Sequence, residues 1–249
     1  MRIKQIRSGN ALRVVIINGF LSETVADVSD WLEIVNRSFP EATVLHCDWD
    51  ASNIAKFRGL AQPNPKHDGW LRSLAKVTTN VVSQKTYLPK SVLAESAKQW
   101  RSAMNNAAIA GNDLTNYIET NTGKYILMGH SLGARVIFNC LNSLKYKDYV
   151  LGAFLFGGAV GVNETWGNIA NNNPKLRIFN CYSQNDLVLK SLYRVGTLFS
   201  NTPVGLSPIV LSNKNRVHNI DMSVAVNGHT DYKKAAVGNL VHTYINTPR

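Results

Sequence analysis

The chain has 249 residues, 45% hydrophobic and 17% charged, enough for one large α/β domain or two small ones with a core that needs no staples, and too apolar for a disordered chain. Its 27 lysines and arginines outnumber 16 aspartates and glutamates, a formal charge of +11, which suits an anionic membrane surface, a phosphate-bearing substrate or nucleic acid. The basic residues are dispersed and no helix-turn-helix, ribonucleoprotein-type or zinc-finger pattern is found, so nucleic acid is not expected.

Cys47, Cys140 and Cys181 are an odd set in apolar surroundings without metal-like spacing, which favours buried thiols in a reducing compartment. The basic start (Arg2, Lys4, Arg7) is followed by an apolar run at 14–17, too short for a signal peptide, and no stretch approaches a membrane span. The expectation is a cytoplasmic protein, with at most peripheral contact with a membrane.

In chain order, strand-like and helix-like segments alternate. Residues 12–18 are a β-branched run, 28–39 have helical spacing in Trp31, Leu32, Val35 and Phe39, and 43–48 return to strand. Residues 94–118 predict a long helix. The next strand, 125–128, is followed by Val136, Ile137, Cys140, Leu141 and Leu144 at helical spacing. Residues 149–156 and 176–182 read as strands and 187–199 as a helix. The last strand is 209–211 or 216–220, and 233–245 form a closing helix. Apolar strands alternating with helices imply a mostly parallel sheet covered on both faces.

One segment, 51–91, breaks the alternation. It holds Gln62-Pro63-Asn64-Pro65, His67-Asp68-Gly69-Trp70 and scattered apolar residues. An insertion of that length fits a lid or cap over a site, or else helices packed on the sheet edge. No repeat or long linker divides the chain, so 1–249 reads as a single domain.

The most informative stretch is Gly129-His130-Ser131-Leu132-Gly133, a G-x-S-x-G between a strand and a helix. Such a turn holds the serine in a strained conformation at the strand tip, with its hydroxyl projecting clear of the backbone. The glycines lie where strand and helix run closest, and side chains there would clash. The alternative is a glycine-rich turn whose serine only caps the helix.

A serine hydroxyl becomes a nucleophile when a base takes its proton, and the base needs an orienting carboxylate. In this fold type the order is Ser, Asp or Glu, then His. Asp186 follows the strand at 176–182, at the carboxyl end where parallel sheets place ligands. Aspartate also suits a helix N-cap, and position alone does not separate the two. His229, in Asn227-Gly228-His229-Thr230, is the best base, because the glycine and loop let the imidazole reach the serine. His130 is turned away by the tight turn, towards the pocket wall. His46, His218 and His242 sit in regular elements and suit structural roles, and His67 comes too early in the chain.

The oxyanion needs two backbone N–H donors. Leu132 supplies one, and the loop Asn18-Gly19-Phe20-Leu21 the other. The N–H of Phe20, rather than of Leu21, should face the site, with Leu21 and His130 lining the substrate pocket. Losing one such donor costs about 2.7–4 kcal/mol of transition-state stabilisation.

These residues resemble a known family. The run 129–144 is similar to the elbow of the lipase-like α/β-hydrolase domain of transmembrane and coiled-coil domain proteins. The resemblance continues in Gly157-Gly158-Ala159-Val160 with Trp166, in 180–190 with Tyr193-Arg194, and in 226–229 with Tyr232. It covers the carboxyl-terminal half well, the first strand loosely and 51–91 poorly. It implies an α/β-hydrolase fold with Ser131, Asp186 and His229 as a catalytic triad acting on lipid or acyl esters. The resulting expectation is a serine esterase or lipase acting on lipid or phospholipid acyl esters, one that uses neither metal nor organic cofactor. The alternatives are a non-catalytic binding or membrane-adaptor module on the same scaffold, and a thioesterase or acyltransferase with the same triad.

Overall fold

The structure, a computed structural model, describes residues 1–19, 28–51, 90–196, 201–211 and 216–246. Phe20, Leu21, His67 and nearly all of the 51–91 insertion lie outside the described residues.

Seven strands form one sheet: β1 (Arg2–Arg7), β2 (Asn10–Ile17), β3 (Ala42–Asp48), β4 (Lys124–His130), β5 (Val150–Phe156), β6 (Arg177–Tyr182) and β7 (Val217–Asp221). Their order is β1-β3-β2-β4-β5-β6-β7; β1 runs antiparallel to β3, and all other neighbours are parallel. Around it stand α1 (Ser29–Ser38), α2 (Lys90–Thr120), α3 (Leu132–Ser143), α4 (Trp166–Asn172), α5 (Leu187–Gly196) and α6 (Ala235–Asn246).

Strand alternation sorts the apolar residues into two cores, as the two-residue side-chain period requires. Val15, Ile17, Leu127 and Leu155 join Leu114 and Ile118 of α2 and Val136 and Ile137 of α3 on one face. Val14, Ile16, Met128, Phe154 and Phe156 meet Trp31, Ile34 and Val35 of α1 and Val237 and Val241 of α6 on the other. The mostly parallel, doubly covered sheet read from the sequence is therefore what forms. The chain continues from β2 to β3 on one side, while β4 lies on the other side of β2. The strand order thus reverses between β2 and β4, a switch point where open α/β sheets place their ligands.

Three elements differ from the expectation. β1 was not anticipated: its two isoleucines are three residues apart, so Ile3 packs on one face and Ile6 on the other, and a register shift interrupts the pairing between Gln5 and Arg7. A half-exposed edge strand of this kind lacks a one-sided apolar stripe. The short α4 was missed as well. Of the two candidates for the last strand, Val217–Asp221 is the one that pairs with β6. The closing helix starts at Ala235, after the separate 3₁₀ turn Asp231–Lys233.

Candidate active site

Ser131 joins β4 to α3 with φ 56° and ψ −119°. Among the described residues it is the one non-glycine with positive φ, a conformation that costs about 1–3 kcal/mol and needs surrounding structure to hold it. The restraints are visible. Its N–H donates to the Phe156 carbonyl at 3.0 Å, and its carbonyl accepts from the Ala159 and Ala134 amides at 3.0 and 3.1 Å. A Cβ on Gly129 would lie 2.6 Å from the Gly133 backbone, and one on Gly133 would lie 2.3 Å from the Ile17 carbonyl oxygen. The two motif glycines are thus required by strand–helix contact.

Leu132 is buried and opens α3, so its N–H is one of the first-turn donors without an intrahelical acceptor. Opposite it, the loop after β2 comes against the serine: a Cβ on Gly19 would stand 2.6 Å from Ser131 Cβ and 3.3 Å from Ser131 Oγ. The loop thus reaches the serine at Gly19.

Asp186 lies after β6 and is fully buried. Its two oxygens have different partners: Oδ1 accepts from the Leu189 N–H at 2.9 Å in the first turn of α5, and Oδ2 lies 2.7 Å from His229 Nδ1. The one carboxylate therefore caps α5 and meets the His229 imidazole. His229, 6% exposed, is delivered by the 222–229 loop, which is fastened to the Asp186 loop by side chains that the sequence did not single out. Ser183 Oγ donates to the Val226 carbonyl at 2.9 Å, and Asn185 Nδ2 to the Ser223 carbonyl at 2.9 Å. The run of short polar residues 183–186 was the available signal. Burial first, then the charge of Asp186, pushes the phenol of nearby Tyr232 well above its usual 10.

His130 is buried, with Nε2 2.8 Å from the His229 carbonyl oxygen and its ring centroid 4.5 Å from that of His229. Burial, then the neighbouring His229 and Lys233, holds it well below 6.5. It is therefore neutral at neutral pH, and Nε2–H donates to that carbonyl. Next in sequence to Ser131, this residue ties the serine turn to the histidine loop. Among the described residues no hydrogen bond joins the Ser131 hydroxyl to His229.

A cleft of about 300 Å³ opens beside the Asp186 loop, lined by Gln184, Lys190, Asn201, Thr202, Pro203 and Leu206; Ser131 is not among its lining residues. Among the described residues no group of three or more His, Cys, Asp or Glu could hold a metal ion, and no helix is long and apolar enough to cross a membrane.

A parallel sheet with an antiparallel first strand, a strained serine after β4, and an aspartate and a histidine following in that order define an α/β-hydrolase fold. Residues 90–245 match the family described as "Protein of unknown function (DUF726)", and the chain belongs to that family. It is similar to the "Transmembrane and coiled-coil domain-containing protein STS1" of Oryza sativa subsp. japonica (34% identity, covering 49% of this chain and 18% of that protein). It is also similar to the "Probable lipase MIL1" of Saccharomyces cerevisiae (31% identity, 55% of this chain and 13% of that protein). These matches span less than a fifth of either relative. Among solved structures, the mouse "Alpha/beta hydrolase domain-containing protein 10" is similar over 98% of this chain and 91% of that one, at 13% identity and a TM-score of 0.47.

Proposed function

We propose that this chain is a serine hydrolase that cleaves carboxylic esters, with lipid acyl esters as its substrate class. The observation that carries this reading is the buried His229–Asp186 pair, 2.7 Å apart, beside a serine held at φ 56°. A strained backbone and a buried carboxylate–imidazole pair both cost stability, and a capping serine would need neither. The similarity to a protein named a probable lipase and the net charge of +11 favour lipid esters presented at an anionic surface, which the chain would touch peripherally.

In this scheme His229 Nε2 takes the proton from Ser131 Oγ as the oxygen adds to the ester carbonyl. Asp186 holds Nδ1–H and stabilises the imidazolium. The Leu132 N–H and an N–H of the loop after Gly19, assigned to Phe20, bind the oxyanion. The tetrahedral intermediate collapses, the C–O bond breaks, and the alcohol leaves with the proton from His229. Water, deprotonated by His229, then attacks the acyl-serine; the carboxylic acid departs and the serine recovers its proton.

A fluorophosphonate probe tests the reading. Labelling of the folded protein that Ser131→Ala abolishes supports it, and unlabelled folded wild type favours a binding module on a hydrolase scaffold. Incubation with a total lipid extract, followed by mass spectrometry, then identifies the ester. Competing thiol and alcohol acceptors separate hydrolysis from acyl transfer, and turnover indifferent to anionic lipid and to salt would remove the surface.

A further inference from the structure

Four residues beyond His229, the 3₁₀ turn Asp231–Lys233 brings Lys233 against the loop that follows β2. Its ammonium pairs with the Asp30 carboxylate, donates to Asn18 Oδ1 at 3.3 Å and stands 5.6 Å from the centroid of the Trp31 ring. One acid, one amide oxygen and one aromatic face match what three ammonium hydrogens can serve.

Asn18 is the node of this arrangement and is 4% exposed. Its Oδ1 also accepts from Trp31 Nε1 at 2.7 Å, and its carbonyl accepts from Trp49 Nε1 at 2.9 Å. Two donors on one atom fix the amide orientation. The next residue, Gly19, is the one that abuts Ser131. A continuous path therefore runs from the histidine loop through Lys233 and Asn18 to the face of the serine.

We propose that Lys233 and Asn18 form a clamp locking Asn18-Gly19, at the end of β2, to the histidine loop, which makes Lys233 a positioning residue for the Ser131–His229 centre. The inference rests on the serine-hydrolase reading above. Oxyanion donors work because they are already aimed when charge develops, and a displacement of ~1 Å in such a site costs up to ~10²-fold in rate. A backbone loop has no inherent reason to keep a fixed distance from an imidazole delivered by the far end of the chain. The Lys233 side chain ties the two directly, beside the path through His130.

Lys233→Met is the discriminating variant: it keeps an unbranched apolar side chain and deletes the ammonium. Asn18 Oδ1 retains its indole donor, and Asp30, with its side chain 43% exposed, returns to water. Fluorophosphonate labelling and hydrolysis of a short p-nitrophenyl ester provide the readout. We expect kcat and labelling to fall about tenfold with KM changed by no more than about twofold. Lys233→Arg should recover most of the loss. Because the two residues act as one unit, Asn18→Ala with Lys233→Met should be no slower than Asn18→Ala alone.

A wild-type rate in Lys233→Met overturns the clamp, as does an additive double mutant. If Lys233→Met does not fold, Asp30→Asn releases the ammonium from an exposed position. It should slow labelling by about two- to fivefold, and no effect overturns the clamp. Failure of the hydrolase reading looks different: the folded wild type is then itself unlabelled, and the clamp falls with it.

Discussion

Asp186 holds the His229 imidazole with one carboxylate oxygen, at 2.7 Å, and the first turn of α5 with the other, at 2.9 Å. The same residue fixes a ring and a helix, and substitution can separate the two jobs. Asp186→Asn keeps an oxygen for the Leu189 amide but turns an NH₂ towards Nδ1, which imposes the wrong imidazole tautomer. Labelling of Ser131 should fall on the order of 10⁴-fold with the melting temperature little changed. Asp186→Ala also loses the cap, at about 1 kcal/mol, and leaves a buried imidazole without its partner, so it should melt lower. Equal melting temperatures for the two variants would show that the cap contributes nothing.

Gly19 is the closest approach of the β2 loop to the serine, and a side chain has no room there. A Cβ would lie 2.6 Å from Ser131 Cβ and 2.8 Å from the His130 carbonyl oxygen. Neither atom can yield without moving the strained turn. Gly19→Ala should therefore destabilise by about 1–3 kcal/mol as overpacking and cut fluorophosphonate labelling well beyond the unfolded fraction. Labelling that tracks the folded fraction alone would mean that the loop gives way instead of the serine.

The positions of the candidate site were legible in the sequence for a physical reason. A strained strand–helix turn needs glycine at fixed offsets, and both motif glycines meet backbone within 3 Å. Asp186 and His229 could be proposed as partners because chain order and strand ends constrain where such residues fall. The supports were not legible. Nothing near Lys233 says that it reaches Asn18, 215 residues away, and a buried asparagine at a strand end looks like an ordinary turn residue. β1 escaped notice because its apolar residues serve opposite faces.

Cys47, Cys140 and Cys181 are buried free thiols. Burial pushes Cys140 to about 12 and raises the other two as well. Since the thiolate is the reactive form, iodoacetamide at pH 8 should modify none of the three in the native protein and all three in denaturant. Modification of the native protein at a rate near that of a free thiol would show local opening of β3, α3 or β6.

His130 gives the protein a pH dependence whose sign follows from its surroundings. Burial, ahead of every other cause, lowers it well below 6.5, and burial also lowers His46 in β3. In the unfolded chain both titrate near the usual value. As pH falls through about 6.5, the unfolded state takes up protons that the folded state refuses. Their contribution is thus full above that pH and erodes below it, by up to ~1.4 kcal/mol per pH unit for each histidine until its folded value is reached. His130→Gln keeps an N–H for the His229 carbonyl and removes the titration, so its melting temperature should fall less between pH 7.5 and 5 than that of the wild type. His130→Leu removes the donor too, and should slow labelling of Ser131 more than His130→Gln does, because the His229 backbone loses its tie to the serine turn. Parallel melting curves for wild type and His130→Gln across that range would mean that another group sets the acid sensitivity.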